Sequence, residues 1–258
     1  MSKQKATEAE VVSNEPAPAP AVAGNTLPEM KSGNWGVIEE LETTDLMVPK
    51  IFHQQALSVF VQEGHAKVGD WCDSMTKQVI CSKDDPMELI IFGLYKTMVI
   101  SVDEMLRGKF RLDKIIPVTK ENALAMSKKP YTEERDGNNY RNQLFYNYYC
   151  LSPQKLRALP YVISLGSTKQ KEATKLNTMI TMLSGTGRSV SSVIFNFKSV
   201  ERTKDTNKWQ GVEISQGRNA TEEEEAQGYA WYVKSKMQSF AVSDEDTKSD
   251  ADSDNIPF

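Results

Sequence analysis

The sequence has few of the residues on which metal sites and nucleophilic catalysis depend. Its 258 residues include three cysteines and two histidines, and no two cysteines form a Cys-x-x-Cys pair. A structural zinc site would have to draw its ligands from distant segments, so we predict no metal and no cofactor. His53 and His65 fall in different predicted elements, and no Ser–His or Cys–His arrangement favours nucleophilic catalysis. We therefore predict that the protein is not an enzyme.

Long hydrophobic runs are also missing. No apolar stretch reaches the length of a membrane span, and no positive-then-apolar leader opens the sequence. We expect a protein of the cytoplasm that does not bind membranes. Residues 1–33 are rich in Pro and Ala without apolar periodicity, which predicts a disordered leader. Residues 34–241 are predicted to form the folded domain, and residues 242–258 a disordered acidic tail.

Charge is divided unevenly along the chain, although the net charge is only −4. Between Tyr95 and Trp209 there are 20 Lys and Arg against 10 Asp and Glu, a surplus of ten positive charges. From Ser243 to Phe258 six carboxylates face one lysine. A basic body joined to an acidic tail is typical of a nucleic-acid binder with an internal competitor, whereas evenly mixed charge would only solvate the surface.

Short apolar runs rich in β-branched and aromatic residues predict many strands. The longest run is Met87–Val102, in which Gly93 predicts a bulge or bend. Ser192–Arg202 and Trp209–Ile214 predict a hairpin. Its core-facing residues would be Phe195 and Phe197.

Two helices are predicted. The first begins at Ser167 or Thr168 and ends near Leu183, and the second is capped by Thr221 and ends near Phe240. Residues 119–138 are polar and predict a loop or short helix. The second helix would pack on the body through Ala226, Tyr229, Ala230, Val233 and Met237. Because strands dominate and do not alternate with helices, we predict a mostly-β α+β fold, an OB-fold-like barrel or a variant with two helices.

A tyrosine-rich strand is predicted over residues 139–151. One face would carry Tyr140, Leu144, Tyr146, Tyr148 and Cys150 towards a core. The other would carry Arg141, Gln143, Phe145, Asn147 and Tyr149, which interleaves aromatic rings with a cation and amides. Such a surface is typical of single-strand binders, because every base has a face on which a ring can stack. An ordinary amphipathic strand remains the alternative, and a slip of one residue would exchange the two faces.

The acidic tail ends on an apolar tripeptide. An aromatic residue beside carboxylates suits a partner with a small apolar pocket rimmed by Lys or Arg. The predicted docking residues are Asp250, Asp252, Asp254, Ile256, Pro257 and Phe258.

This ending resembles the acidic tip of bacterial single-stranded DNA-binding proteins, which finish on an acidic run and Asp-Ile-Pro-Phe; here Asn255 replaces the last acid. In that family the tip recruits replication and repair enzymes. The body is similar to single-stranded DNA-binding proteins of bacteriophages, on the segments Leu159–Leu165 and Lys175–Asn177. The resemblance implies a protein that coats single strands during replication, recombination or repair, in the host cytoplasm if it is viral.

The first hypothesis is therefore a sequence-independent binder of single-stranded DNA that could form a homo-oligomer and that recruits host or phage enzymes through its tip. The predicted DNA contacts are Lys96, Lys109, Phe110, Arg111, Arg141, Phe145, Tyr149, Lys198, Arg202, Lys204, Lys208 and Trp209. Two alternatives stay open. The chain could be a decoy that captures host enzymes by imitating the tip, or a recombination protein that anneals strands.

Overall fold

The computed structural model describes residues 47–103, 110–153, 159–204, 207–237 and 241–242. These residues belong to one unit, Leu41–Phe258. Strands dominate it, which confirms the predicted mostly-β α+β class. The predicted leader and the tail from residue 243 lie outside the described residues.

The described residues contain twelve strands and four α-helices. The strands are β1 (Met47–Val48), β2 (Lys50–His53), β3 (Trp71–Asp73), β4 (Val79–Cys81), β5 (Met87–Asp103), β6 (Arg111–Val118), β7 (Thr132–Arg135), β8 (Asn138–Leu151), β9 (Tyr161–Gly166), β10 (Val193–Lys204), β11 (Asn207–Asn219) and β12 (Ala241–Val242). The helices are α1 (Val59–Gln62), α2 (Ala123–Ser127), α3 (Gln170–Gly185) and α4 (Glu222–Met237). The two long helices, α3 and α4, are the two that the sequence predicts.

Ten of these strands form one sheet. Its order is β11-β10-β5-β8-β9-β2-β3-β4, with β6 paired to β5 and β7 paired to β8. Within the described part of the chain the end strands β11 and β4 do not pair with each other, so the sheet is not closed. The architecture is a β-rich, OB-like one with an open sheet.

β5 and β8 form the longest ladder of the sheet. It runs from the pair Ile90–Leu151 to the pair Asp103–Asn139, and its register shifts between Ile91 and Gly93. This shift confirms the bulge predicted at Gly93. Beyond the bulge, β6 lies on the outer side of β5 and β7 on the outer side of β8. We call this four-stranded end of the sheet the arm.

The larger hydrophobic cluster lies between one face of the sheet and α3. Leu176 and Leu183 of the helix are buried there together with Phe195 and Phe197, which confirms the predicted inward face of β10. The Tyr148 hydroxyl donates to Oδ1 of Asn177 (2.9 Å) and also lies 3.2 Å from the backbone oxygen of Ala173. Both partners lie on α3, so this tyrosine fixes the helix to the sheet.

The second hydrophobic cluster lies on the opposite face, under α4. The helix is buried through Gly228 and Trp231, whereas Tyr229 is exposed. A Cβ on Gly228 would come within 2.8 Å of Cβ of Ser191 and 3.3 Å of Cγ2 of Ile90. Of the residues predicted to pack on the body, Ala226, Tyr229 and Ala230 are exposed and Val233 is half-buried, and the side chain of Met237 lies outside the described residues. The prediction was therefore wrong for the first three: a glycine lets the helix approach the sheet closely, and apolar periodicity does not register a residue without a side chain.

A two-residue turn joins β7 to β8. Asp136 (φ 52°) and Gly137 (φ 74°) both have positive φ, and Arg135 pairs with Asn138. This is the geometry of the tight hairpin turn for which Asp-Gly is a favoured pair. The predicted loop or short helix over residues 119–138 thus contains α2 and one strand of a hairpin.

Candidate nucleic-acid interface

The alternation of side chains on β8 agrees with the predicted register. Tyr146 and Tyr148 belong to the cluster beneath α3. Tyr149 belongs to the second cluster, on the opposite face. Because side chains alternate along a strand, Arg141 and Phe145 lie on the same face as Tyr149. The interleaved face predicted from the sequence is therefore the face on which α4 packs.

Arg141 occupies the outer end of this face, in the arm. Its guanidinium carbon lies 4.0 Å from the ring centroid of Phe110 and 5.9 Å from that of Tyr131. No carboxylate among the described residues pairs with it. Its Nε is buried without a hydrogen-bond partner, and so is Oγ of Ser101, the residue opposite it on β5. We call Phe110, Tyr131, Arg141, Phe145 and Tyr149 the β8 row.

Phe145 lies flat across the neighbouring strand. It is opposite Gly166 of β9, where a Cβ would come within 2.5 Å of Cδ1 of the ring. Only a glycine leaves room for the ring in this position. Next to it, the Asn147 amide donates to Oγ1 of Thr97 (3.0 Å) and accepts from Oγ of Ser164 (2.6 Å). The amide predicted on this face thus holds three strands together.

Tyr149 crosses a glycine in the same way. A Cβ on Gly93 would lie 3.0 Å from Cδ2 of its ring. The ring stacks on Phe92 with 6.0 Å between centroids and tilts against Tyr95 at 5.1 Å. Burial raises the pKa of the Tyr149 hydroxyl above its usual value. Tyr149 and its neighbour Tyr95 are both half-buried.

Two further cations of the arm lie over rings on the other face. Nζ of Lys96 lies 5.1 Å from the ring centroid of Tyr146, and Cζ of Arg135 lies 4.1 Å from that of Tyr140. Arg111 is exposed at the start of β6, opposite Val102. Cations and aromatic rings therefore alternate on both faces of the arm.

The DNA contacts predicted on the hairpin of β10 and β11 have different surroundings from those in the arm. Nη2 of Arg202 lies 3.4 Å from Oε1 of Glu172 on α3 and donates to the backbone oxygen of Val212 (3.2 Å). Nζ of Lys208 lies 3.1 Å from Oε1 of Glu201. Two of the four described contacts on this hairpin are thus paired with carboxylates. The other two are Lys198, which is exposed, and Trp209, which is half-buried opposite Arg202.

The two groups lie at opposite ends of β5. β10 pairs with β5 only near its start, where Phe197 is opposite Met87, and the hairpin continues beyond that end. Arg141 is opposite Ser101. At about 3.3 Å per residue, roughly 45 Å of strand separates these two positions. The structure brings the arm residues together and leaves the hairpin residues apart from them.

Several predicted site residues lie outside the described part of the chain. They are Lys109, the side chain of Lys204 and the six docking residues Asp250, Asp252, Asp254, Ile256, Pro257 and Phe258. Their assignments stay predictions.

Tyr131 is the member of the row that sequence reasoning missed. It is half exposed, at 50%. Thr132 pairs with Arg141, which brings the preceding tyrosine beside the guanidinium. The Asp136-Gly137 turn was the available signal, because it predicts a hairpin that folds residues 131–135 back along β8.

A serine and a histidine do meet in the structure. Nε2 of His53 lies 2.9 Å from Oγ of Ser199, which donates to Oε1 of Gln210 (3.2 Å). Both residues are buried, and a Cβ on Gly69 would lie 2.8 Å from that Oγ. The hydroxyl is covered by protein backbone, so the pair acts as a structural link between β2 and the hairpin.

The cysteines and carboxylates of the described residues also have structural positions. Cys72, Cys81 and Cys150 are buried thiols without a disulfide, and burial raises the pKa of Cys72 to about 12. Asp70 accepts hydrogen bonds from the backbone N–H groups of Lys67 and Lys83. Within the described residues no three His, Cys, Asp or Glu side chains converge as metal ligands would.

Comparison with known proteins gives one match. The model of a family described as "Pam3 phage gp34-like protein" matches residues 21–248. No curated protein and no solved structure matches the chain. The match covers the whole described fold and stops before the six docking residues. Within the part of the chain that the structure describes, every helix is too short or too polar to cross a membrane.

Proposed function

This chain belongs to the Pam3 phage gp34-like family, and we propose that it is a phage protein that binds single-stranded DNA without sequence preference through the β8 row. It would coat single strands during replication, recombination or repair in the host cytoplasm. The role requires no catalytic group and no cofactor.

The observation that carries the proposal is the environment of Arg141. The fold holds this cation between Phe110 and Tyr131 and supplies no described carboxylate to neutralise it. In such an arrangement the guanidinium can bind a phosphate, and the planar guanidinium and the aromatic rings beside it can stack on a base. An arginine with a structural role usually donates hydrogen bonds to a carboxylate or a backbone carbonyl, as Arg202 does here.

The spacing of the row also suits a flexible strand. Phe145 lies four residues from both Arg141 and Tyr149, or about 13 Å along the strand in each direction. Base stacking on an aromatic side chain contributes roughly 1–3 kcal/mol per base. Three such positions with a phosphate contact from Arg141, on the same face, are sufficient for useful affinity without reading base edges, whereas Lys96 and Arg111 lie on the other face of the arm.

The experiment is a fluorescence-anisotropy titration of the full chain with a labelled dT oligonucleotide and with its duplex, at two salt concentrations. We expect tight binding to the single strand that weakens as salt rises, and weak binding to the duplex. If the chain binds neither the single strand nor the duplex, the proposal is refuted, and the decoy role remains as the hypothesis that explains the tail.

A matched pair of arginine variants tests the site. Arg141→Gln is expected to weaken single-strand binding by about tenfold. Arg188→Gln removes an exposed arginine that follows α3 and donates to Asn219; its effect should stay below about twofold. Equal effects of the two substitutions would show that net charge, and not the row, carries the binding.

We further propose that the tip, from Asp250 to Phe258, docks host or phage replication and repair enzymes. The support is its composition, acidic residues followed by Ile256-Pro257-Phe258. Phe258→Ala should abolish recruitment of such an enzyme to DNA coated by the protein while single-strand affinity is retained. Equal recruitment by both chains would contradict the docking role.

A further inference from the structure

The outward face of α4 has no role in the fold described above. Tyr229 is 62% exposed and Tyr232 is 41% exposed, with 6.3 Å between their ring centroids. Nζ of Lys236 lies 5.5 Å from the ring centroid of Tyr232. One turn of helix thus presents two neighbouring rings to solvent beside a cation, whereas Trp231 from the same turn is buried.

The contacts of α4 show in which direction the helix runs across the sheet. Near its N-terminus, Glu224 and Glu88 of β5 share the guanidinium of Arg218. Further along, Gly228 lies against Ile90. The helix therefore runs along β5 in the direction of the arm. Trp231 joins the cluster that contains Phe92, which stacks on Tyr149. The C-terminal half of α4 and the β8 row consequently lie on one face of the sheet and follow one another.

Charge on α4 changes sign along the same direction. Its first turn holds four glutamates, and its last turn holds Lys234 and Lys236. The acids lie at the end away from the row, where the Arg218 guanidinium hydrogen-bonds Glu224 and lowers its pKa to about 2. No described carboxylate pairs with either lysine. At the end that approaches the row, Lys236 thus lies beside Tyr232, and Nζ of Lys234 lies 4.6 Å from the ring centroid of Trp231.

From these observations we propose that Tyr229, Tyr232, Lys234 and Lys236 form a second contact for single-stranded DNA, continuing the path that the β8 row begins. This inference rests on the proposed function. Its specific content is that a long oligonucleotide uses both contacts, whereas a short one occupies the row alone. Aromatic side chains with adjacent cations suit a strand whose sequence varies, because stacking and phosphate attraction are independent of the base.

The test compares dT oligonucleotides of about 8 and about 30 nucleotides, which bracket one and several binding modules. The double variant Tyr229→Ser/Tyr232→Ser should bind the long oligonucleotide about tenfold more weakly than the wild type and the short one equally well. The control is Met182→Ser, which changes a side chain that is 68% exposed on α3, at the opposite face of the sheet. It should alter neither affinity.

The outcomes separate this inference from the proposed function. If the wild-type chain binds neither oligonucleotide, both the proposed function and the second contact are refuted. A wild-type chain that binds both, with the double variant unchanged or equally weakened on each, overturns only the second contact. A double variant with unchanged DNA binding and a lower mass in sedimentation would also overturn it, in favour of a contact between copies of the chain. In a positive outcome, 5-iodouracil in the long oligonucleotide should crosslink to Tyr229 or Tyr232.

Discussion

Arg141 in the arm and Arg202 in the hairpin of β10 and β11 belong to the same basic stretch of the sequence but have different environments. Arg202 crosses Gly211, and its guanidinium meets Glu172 and a backbone carbonyl. Arg141 meets two rings and no described carboxylate. A surplus of positive charge therefore does not by itself identify a binding surface. The cation available to an external anion is the one to which the fold assigns no carboxylate.

The largest expected effect is on stability, at the carboxylate that distinguishes the two arginines. Glu172 is buried, receives Arg202, and accepts a hydrogen bond from the backbone N–H of Ile214 (3.3 Å). Glu172→Ala should lower the free energy of unfolding by about 3 kcal/mol, because a cation and a buried amide lose their partner. Urea denaturation measures this, and the affinity for single-stranded DNA of the folded protein should not change. A decrease in the free energy of unfolding of less than about 0.5 kcal/mol would mean that the Glu172–Arg202 pair contributes no more to stability than an exposed ion pair.

Replacing each arginine by leucine sharpens the contrast. Arg202→Leu should lower the free energy of unfolding by about 1.5 kcal/mol and leave single-strand affinity within about twofold. Arg141→Leu should do the reverse, with about tenfold weaker binding, or 1.4 kcal/mol, and little change in stability. If both substitutions reduce affinity equally, the hairpin and the arm belong to one interface and the separation along β5 has no functional meaning.

A third comparison concerns the glycines beneath the two regions. Gly166→Ala places a methyl group against the ring of Phe145, whereas Gly211→Ala meets the flexible chain of Arg202. Because a ring held between strands cannot bend away, the first substitution should cost about 1–2 kcal/mol of stability and shift Phe145. The second should cost less than about 1 kcal/mol. Thermal unfolding of the two variants measures the difference, and equal losses would show that Phe145 moves as freely as the arginine.

The smallest effect at neutral pH is expected from His53, which links the hairpin to β2. Burial lowers its pKa well below the usual value, and the charge of Lys169 adds to this. The unfolded chain therefore binds a proton more readily than the folded chain. Stability should be constant above about pH 7 and should decrease as pH falls through the usual histidine range near 6.5.

The control for this dependence is the other histidine, which is exposed. His53→Gln should remove the loss of stability between about pH 7 and pH 5, and His65→Gln should leave it unchanged. Unfolding curves at several pH values distinguish the two. A wild-type chain with a flat profile over this range would contradict the buried, neutral state of His53.

Prediction from sequence succeeded where a pattern reports a local constraint. The alternation that places Phe195 and Phe197 inward, the helix that ends near Leu183 and the bulge at Gly93 are all in the structure. It failed for α4, where a glycine and not an apolar residue meets the sheet. It also missed Tyr131, because β7, the short strand that follows this residue, is polar and has no apolar alternation.

By itself, the sequence determined the mostly-β class and the two long helices, because each follows from side-chain periodicity within a few residues of chain. The register of β8, which the sequence left open to a slip of one residue, is decided by its pairing with β5 and β9. Only the tertiary structure decided which cations are neutralised. Glu172 and Arg202 are 30 residues apart in the sequence, and Phe110 and Arg141 are 31 residues apart. Each pair comes into contact only because of the order of the strands in the sheet. Charge density is a property of composition, whereas the availability of a charge depends on its neighbours in space.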